Sequence, residues 1–327
     1  HQYLKELNQD TFGQNPEIVT VGEMSSTSLE NCYRYGGEGE NELSMVFSFH
    51  HLKVDFVGNE KWVMVPYDFQ KLKDILFQWQ TKMEEHDAWN AVFWCNHDQP
   101  RVVSRFGDEG PYWKESAKML ATAIHGLRGT PYIYQGEELG MTNAGFTKIS
   151  QYRDVESLNH FRILQEKGLS ADNALRILGI HSRDNARTPM QWNDGRQAGF
   201  TKGEPWMEVN PNYRYINAQT ELRDEDSIFY YYRRLIGLRK QYDVIAYGDI
   251  RPVAREDSYV FAYKRTWKDE ELLVICNFYG RQISWKSEES LKGYEVLLGN
   301  YGENCLEENG ALLKPYECLV LYRKRGE

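Results

Sequence analysis

The sequence predicts an α/β chain in which a parallel sheet with crossover helices precedes a separate antiparallel β domain. Two observations carry that class. Up to about residue 245, short apolar runs with polar tips alternate with segments whose apolar positions recur every three or four residues, the pattern of strand, crossover helix and strand. After Gly248 the texture changes to short β-rich runs punctuated by Gly and Asn, which suits an antiparallel sandwich. The expected units are therefore residues 1–245 and 246–327.

Taken in order, Glu17–Met24 is a β-branched run with Glu23 near its end, and Ser44–Phe49 repeats the logic and runs into His50-His51. Asp68 is placed to cap a helix through Phe69, Leu72, Leu76, Trp79 and Met83. Asn90–Cys95 is a third strand and delivers Asn96-His97-Asp98. Ala117, Leu120, Ala121, Ile124 and Leu127 mark a helix that Gly129 and Pro131 stop, and Tyr132–Glu138 reads as a fourth strand tipped with acids. From residue 140 to 226 the alternation lapses, so a long insertion is expected to follow the fourth strand and to cover a pocket. A helix resumes at Ile228–Tyr242, and strands follow at Ser258–Tyr263, Leu272–Cys276, Tyr294–Leu298 and Glu317–Tyr322. A closed parallel barrel needs eight such strand–helix units. Only four precede residue 245, so half of a barrel is missing from this chain.

Bulk properties narrow the function. A net charge of −9 and a pI near 5.5 argue against a nucleic-acid or anionic-membrane surface. Five cysteines, odd in number and without a C-x-x-C pair, read as small hydrophobes in a reducing compartment, which points to the cytoplasm. The chain opens with polar HQYLKELNQD and no initiator Met, which suggests part of something longer. His50, His51 and His97 have no compact metal-ligand spacing, so neither a metal nor a cofactor is expected. Twenty-two tyrosines, fourteen phenylalanines and nine tryptophans suit sugar rings, and equally a packed core.

Glu23, His51, Asp98 and Glu138 all fall at or just beyond the ends of apolar runs, and in a parallel barrel those tips converge on one face. Two carboxyls on such a face suit glycoside hydrolysis, one as acid and one that attacks or stabilises the oxocarbenium ion, and from position alone Glu23 pairs as acid with Asp98 as nucleophile. Glu23, at the end of an apolar strand, is expected to be partly desolvated and so kept protonated. Each residue taken singly has a plainer reading: Glu23 as the cap of a turn, Asp98 as a hydrogen-bonded bend. Arg183 and Arg187, four apart, suit either a grip on a carboxylate or vicinal hydroxyls, or a surface ion-pair network.

Thr20-Val-Gly-Glu-Met24, Asn96-His-Asp-Gln-Pro-Arg101, Gly129-Thr-Pro-Tyr-Ile-Tyr-Gln-Gly-Glu-Glu138 and Arg183-Asp-Asn-Ala-Arg-Thr-Pro-Met-Gln-Trp192 together resemble the intracellular α-glucosidase branch of the α-amylase superfamily. The resemblance covers essentially the whole chain. It implies the second half of a TIM (β/α)8 barrel, strands five to eight, followed by the C-terminal β domain. It assigns Glu23 as general acid/base, Asp98 as the second carboxylate that stabilises the transition state, and His97 as a donor to glucose hydroxyls. Arg183 and Arg187 match residues that hold the non-reducing end. The family's nucleophile belongs to a strand-four motif upstream of His1, so this chain is expected to be inactive alone and to pair with the missing half.

Within the branch, Ser25-Ser-Thr-Ser28 and Phe47-Ser-Phe-His-His-Leu-Lys-Val-Asp55 resemble members that hydrolyse trehalose 6-phosphate more than those that cleave isomalto-oligosaccharides. In the latter a Glu and a Met would typically replace His50 and Leu52. That resemblance places Phe49, His51 and Lys53 among the substrate-binding residues, with Lys53 and His51 beside a phosphorylated leaving sugar; a solvated lysine is the plainer alternative. Non-catalytic heavy subunits of amino-acid transporters also resemble these glucosidases, but they usually lose the acidic positions that Glu23 and Asp98 fill here.

Overall fold

The structure, a computed structural model, describes residues 1–326. A helix, Gln2–Asp10, precedes four parallel strands: β1 (Val21–Met24), β2 (Met45–Ser48), β3 (Asn90–Val92) and β4 (Thr130–Pro131). They lie side by side in chain order. Glu23 pairs with Phe47, Phe47 with Ala91, and Ala91 with Thr130, so all four carboxyl ends open on one side. The sheet does not close into a ring.

The crossover after β2 is the helix Phe69–Glu85. The Asp68 carboxylate accepts the Lys71 N–H at 2.9 Å, satisfying one orphan donor of the first turn. Its inner face buries Phe69, Leu72, Phe77 and Met83. The helix Trp113–His125 follows β3 and is buried along most of its length because it is packed on two sides.

The fourth strand corrects the sequence expectation. Pairing begins at Thr130 and ends at Pro131, with one further bond from Tyr132 N–H to the Val92 carbonyl at 2.8 Å. Gly136, at φ 87°, turns the chain, and Glu137–Leu139 forms a 3-10 turn where strand was expected. Entry to β4 is tight: a Cβ on Gly129 would lie 2.5 Å from the Asn90 carbonyl oxygen, and φ there is 135°. Only glycine fits that approach.

Residues 140–226 hold helices Val155–Glu166 and Ala171–His181 and a small core of their own. Phe146, Tyr152, Leu164 and Leu178 meet Trp62 from the loop after β2 there. The helix Ile228–Gln241, capped by Ser227, returns to pack on Trp113–His125 through Tyr231 and Tyr232.

The remaining strands are β5 (Asp249–Pro252), β6 (Val260–Trp267), β7 (Glu270–Asn277), β8 (Ile283–Lys286), β9 (Glu295–Gly299), β10 (Leu306–Glu307), β11 (Gly310–Leu313) and β12 (Cys318–Lys324). They make two antiparallel sheets, ordered β5-β6-β7-β12-β9 and β10-β11-β8. Val260–Tyr263 of β6 and Leu272–Cys276 of β7 read as continuous apolar runs because both faces are covered. Phe261, Tyr263, Leu272 and Val274 join the core under the helices, while Val260, Ala262, Leu273 and Ile275 meet Trp285 and Leu313 of the smaller sheet. Buried Arg265 donates to the carbonyls of Gly126, Ile245 and Gly248, tying this sheet to the helical layer. Among the described residues, no helix is long and apolar enough to cross a membrane.

Candidate active site

The tips of β1, β2 and β3 and the chain beyond β4 enclose a hollow of about 230 Å³. Glu23, Phe49, Phe93, His97, Tyr132 and Tyr134 help to line it. Its wall is aromatic because Phe47, beside Glu23 in the sheet, meets Phe93 and Tyr132 edge-on at 4.9 and 4.7 Å. Glu23, Asn96 and His97 are the main polar members of an otherwise aromatic and apolar lining, the composition of a small-molecule site. Glu23 is exposed, against the expected desolvation. In residues 1–326 β1 is the edge of the four-stranded sheet, so water reaches the carboxyl there.

Past β3 the chain bends at Asn96, whose side-chain oxygen accepts the Asp98 N–H at 2.8 Å. This turn sends His97 into the hollow and leaves Asp98 beside it, with His97 Nε2 3.5 Å from the Asp98 carboxylate. Arg187 reaches the same carboxylate at 2.5 Å and donates to the His97 carbonyl at 2.8 Å. Arg183 lies 3.5 Å from Asp98 and forks onto Asp154 at 2.7 and 3.1 Å. The arginine pair therefore grips carboxylates of this chain, in the row Asp154, Arg183 with Arg187, Asp98.

Asp154 was not anticipated from the sequence. Burial alone would raise its pKa, but the hydrogen bond from Arg183 and the charges of Arg183 and Arg187 outweigh that and hold it below the ordinary value. It is positioned in turn by buried Asp184, which accepts the N–H groups of Arg153 and Asp154 at 2.8 and 3.0 Å. The one local signal was an aspartate directly before a helical run, the cap position.

Two expected residues lie elsewhere. His51 is buried, its Nε2–H donates to the Phe93 carbonyl at 2.9 Å, and its ring packs on Phe93 and Trp94. Burial pushes its pKa down to about 4, so it is a neutral core residue and no donor to a ligand. Glu138 folds back to accept the Gly136 N–H at 2.8 Å, a consequence of the turn that replaces the end of the predicted strand. Lys53 does not line the hollow; its ammonium donates to the Ser25 carbonyl at 2.6 Å, bridging the loops after β2 and β1 two residues from Glu23. Arg101 lies outside the hollow, buried, holding the Gln135 and Ala186 carbonyls at 2.6 and 3.3 Å.

Known proteins resemble the chain along nearly its whole length. Residues 1–248 match the family model described as alpha amylase, catalytic domain, and residues 260–320 match an alpha-amylase SusG C-terminal domain. The chain is 52% identical to a trehalose-6-phosphate hydrolase of Bacillus subtilis over 98% of its own length and 57% of that protein. It is 46% identical to an oligo-1,6-glucosidase of Halalkalibacterium halodurans, over 99% of the chain and 58% of the relative. The crystal structure of Bacillus licheniformis trehalose-6-phosphate hydrolase superposes with a TM-score of 0.95 at 51% identity, covering 99% of this chain and 59% of that one. The chain thus spans under two thirds of the length of these relatives. Carboxyl-tipped parallel strands, an aromatic hollow and matches of this extent lead to one assignment: the chain belongs to the α-amylase family.

Proposed function

We propose that the full-length protein hydrolyses the α-glucosidic bond of trehalose 6-phosphate, releasing glucose and glucose 6-phosphate with retention at the anomeric carbon. Glu23 protonates the departing oxygen and then takes a proton from the attacking water, and Asp98 stabilises the oxocarbenium-like transition state. His97 donates to the glucose hydroxyls, Arg183 and Arg187 hold Asp98 and the non-reducing end, and Phe49 walls the ring. Lys53 supplies a cation beside the leaving sugar's phosphate. The carboxylate that forms the glycosyl-enzyme intermediate comes from a segment outside residues 1–327, so those residues alone do not turn over substrate. In the same reading, β1 to β4 are strands five to eight of a (β/α)8 barrel. Their common direction, their order and the exposed apolar Val21 and Ile133 on β1 and beyond β4 are what a sheet continued at both edges would have. A cytoplasmic setting accords with five unpaired cysteines.

The observation that carries the reading is Glu23 and His97 lining one hollow, with Asp98 held beside it by two arginines. The Halalkalibacterium relative favours a second reading, an oligo-1,6-glucosidase. An assay of the full-length protein on trehalose 6-phosphate, trehalose and isomaltose separates them. The expected result is a kcat/KM for the phosphorylated sugar at least about tenfold above the others, roughly what one charge-assisted contact contributes. Preference for isomaltose would support the alternative, and no hydrolysis of any would overturn both.

A further inference from the structure

We infer that Arg105 is a positioning residue that sets the leaving-sugar side of the site relative to the glucose side. It lies on the short helix Val102–Phe106, outside the hollow, and its side chain is 4% exposed. The guanidinium meets the Asp55 carboxylate with two bonds, Nε to Oδ2 at 2.8 Å and a terminal nitrogen to Oδ1 at 2.6 Å. That terminal nitrogen also donates to the Leu52 carbonyl, and the other donates to the Gln99 side-chain oxygen at 2.9 Å.

These partners belong to two different loops. Leu52 and Asp55 flank Lys53, the cation proposed to face the phosphate, and Gln99 directly follows Asp98. One planar group therefore fixes the turn that carries Lys53 and the turn that carries Asp98 in a single geometry. An apolar pair of similar volume would fill the space at comparable or lower cost, because burying two charges is expensive. What the forked ion pair adds is direction, since guanidinium and carboxylate meet well only in one plane.

A substrate with a phosphate on its leaving sugar engages both loops at once. An uncharged aryl glucoside engages only the Asp98 side. Disturbing Arg105 should thus cost the phosphorylated substrate more, a prediction that rests on the substrate proposed above.

The test uses the full-length protein with Arg105→Lys and, as a milder change that leaves the buried pair intact, Gln99→Ala. Steady-state kinetics on trehalose 6-phosphate and on an aryl α-glucoside are read together with Tm. With Gln99→Ala, kcat/KM for trehalose 6-phosphate should fall about tenfold and for the aryl glucoside less than about threefold, since small misplacements cost such factors. Arg105→Lys should shift the ratio further in the same direction. Equal losses on both substrates, or an unchanged ratio with a lower Tm, would reduce Arg105 to a purely structural role and overturn the inference. Failure of the unaltered protein to hydrolyse trehalose 6-phosphate would instead overturn the substrate reading, and this inference with it.

Discussion

Glu23 shows how little a residue's role depends on its strand alone. Its place at the end of an apolar run suggested a desolvated acid, yet the side chain is exposed at the sheet edge. As the proposed general acid it should matter most where the leaving group is poor. In the full-length protein, Glu23→Gln is expected to lower kcat/KM for trehalose 6-phosphate by about 10³-fold and to lower it much less for an activated aryl glucoside. Parallel losses in a kinetic comparison of the two would remove the acid role. Lys53 is testable on its own. Lys53→Met keeps the apolar stem and deletes the charge, so KM for the phosphorylated sugar should rise about tenfold while the aryl glucoside is unaffected, the cost of one charge-assisted contact. A rise shared by both substrates would assign Lys53 to the loop and not to the phosphate. His51 lies beside Lys53 in sequence and was assigned with it, but the 3-10 turn His50–Lys53 points it into the core. Sequence neighbours on a tight turn face different ways, which no motif can express.

Among the elements, those with a local signal were legible. Asp68 was identified as a cap from its place before a periodic apolar run, and the structure shows the capping bond. Asp68→Ala should therefore cost about 1 kcal/mol in denaturant unfolding, with the m-value unchanged. A change within error would mean that water replaces the cap at no cost. The helices at 113–125 and 228–241 and strands β6, β7, β9 and β12 fall close to where their patterns put them. Strand β4 does not. Tyr132, Ile133 and Tyr134 beyond it have strand propensity, but Gly129 and Gly136 at positive φ shorten the element to two paired residues. The neighbouring strand also offers few partners, because β3 itself ends at Val92.

At the scale of the whole molecule, buried titratable groups link packing to pH. Buried Glu137, in the turn beyond β4, accepts the Tyr232 hydroxyl at 2.8 Å, and burial raises its pKa from 4.5 to about 7. The folded state then keeps a proton that the unfolded chain releases above 4.5. The resulting stability is complete below that value and is lost as pH rises through about 7. His51 and His125 run the other way: burial lowers each from 6.5 to about 4, so their contribution is lost as pH falls through that window. Comparing the unaltered protein with Glu137→Gln isolates the carboxyl. The variant should gain on the unaltered protein in unfolding free energy between pH 5 and pH 8, by a difference of order 3 kcal/mol that a comparison of Tm at the two pH values detects. A gap that does not change with pH would show that Glu137 titrates normally. The same packing joins the two parts of the chain, since Arg265 from β6 satisfies carbonyls at the end of helix Trp113–His125 and beyond it.

The sequence by itself determined the alternation of strand and helix, the change to antiparallel strands, and the motifs that carry Glu23, His97, Asp98, Arg183 and Arg187. These follow from periodicity, caps and residue type, which are local properties of the chain. Tertiary structure alone decided that Asp154 completes the arginine row, that His51 and Glu138 leave the hollow, and that Arg105 reaches two loops at once. Each of those depends on groups brought together from distant positions, where one turn of backbone or one buried carbonyl chooses the direction a side chain takes.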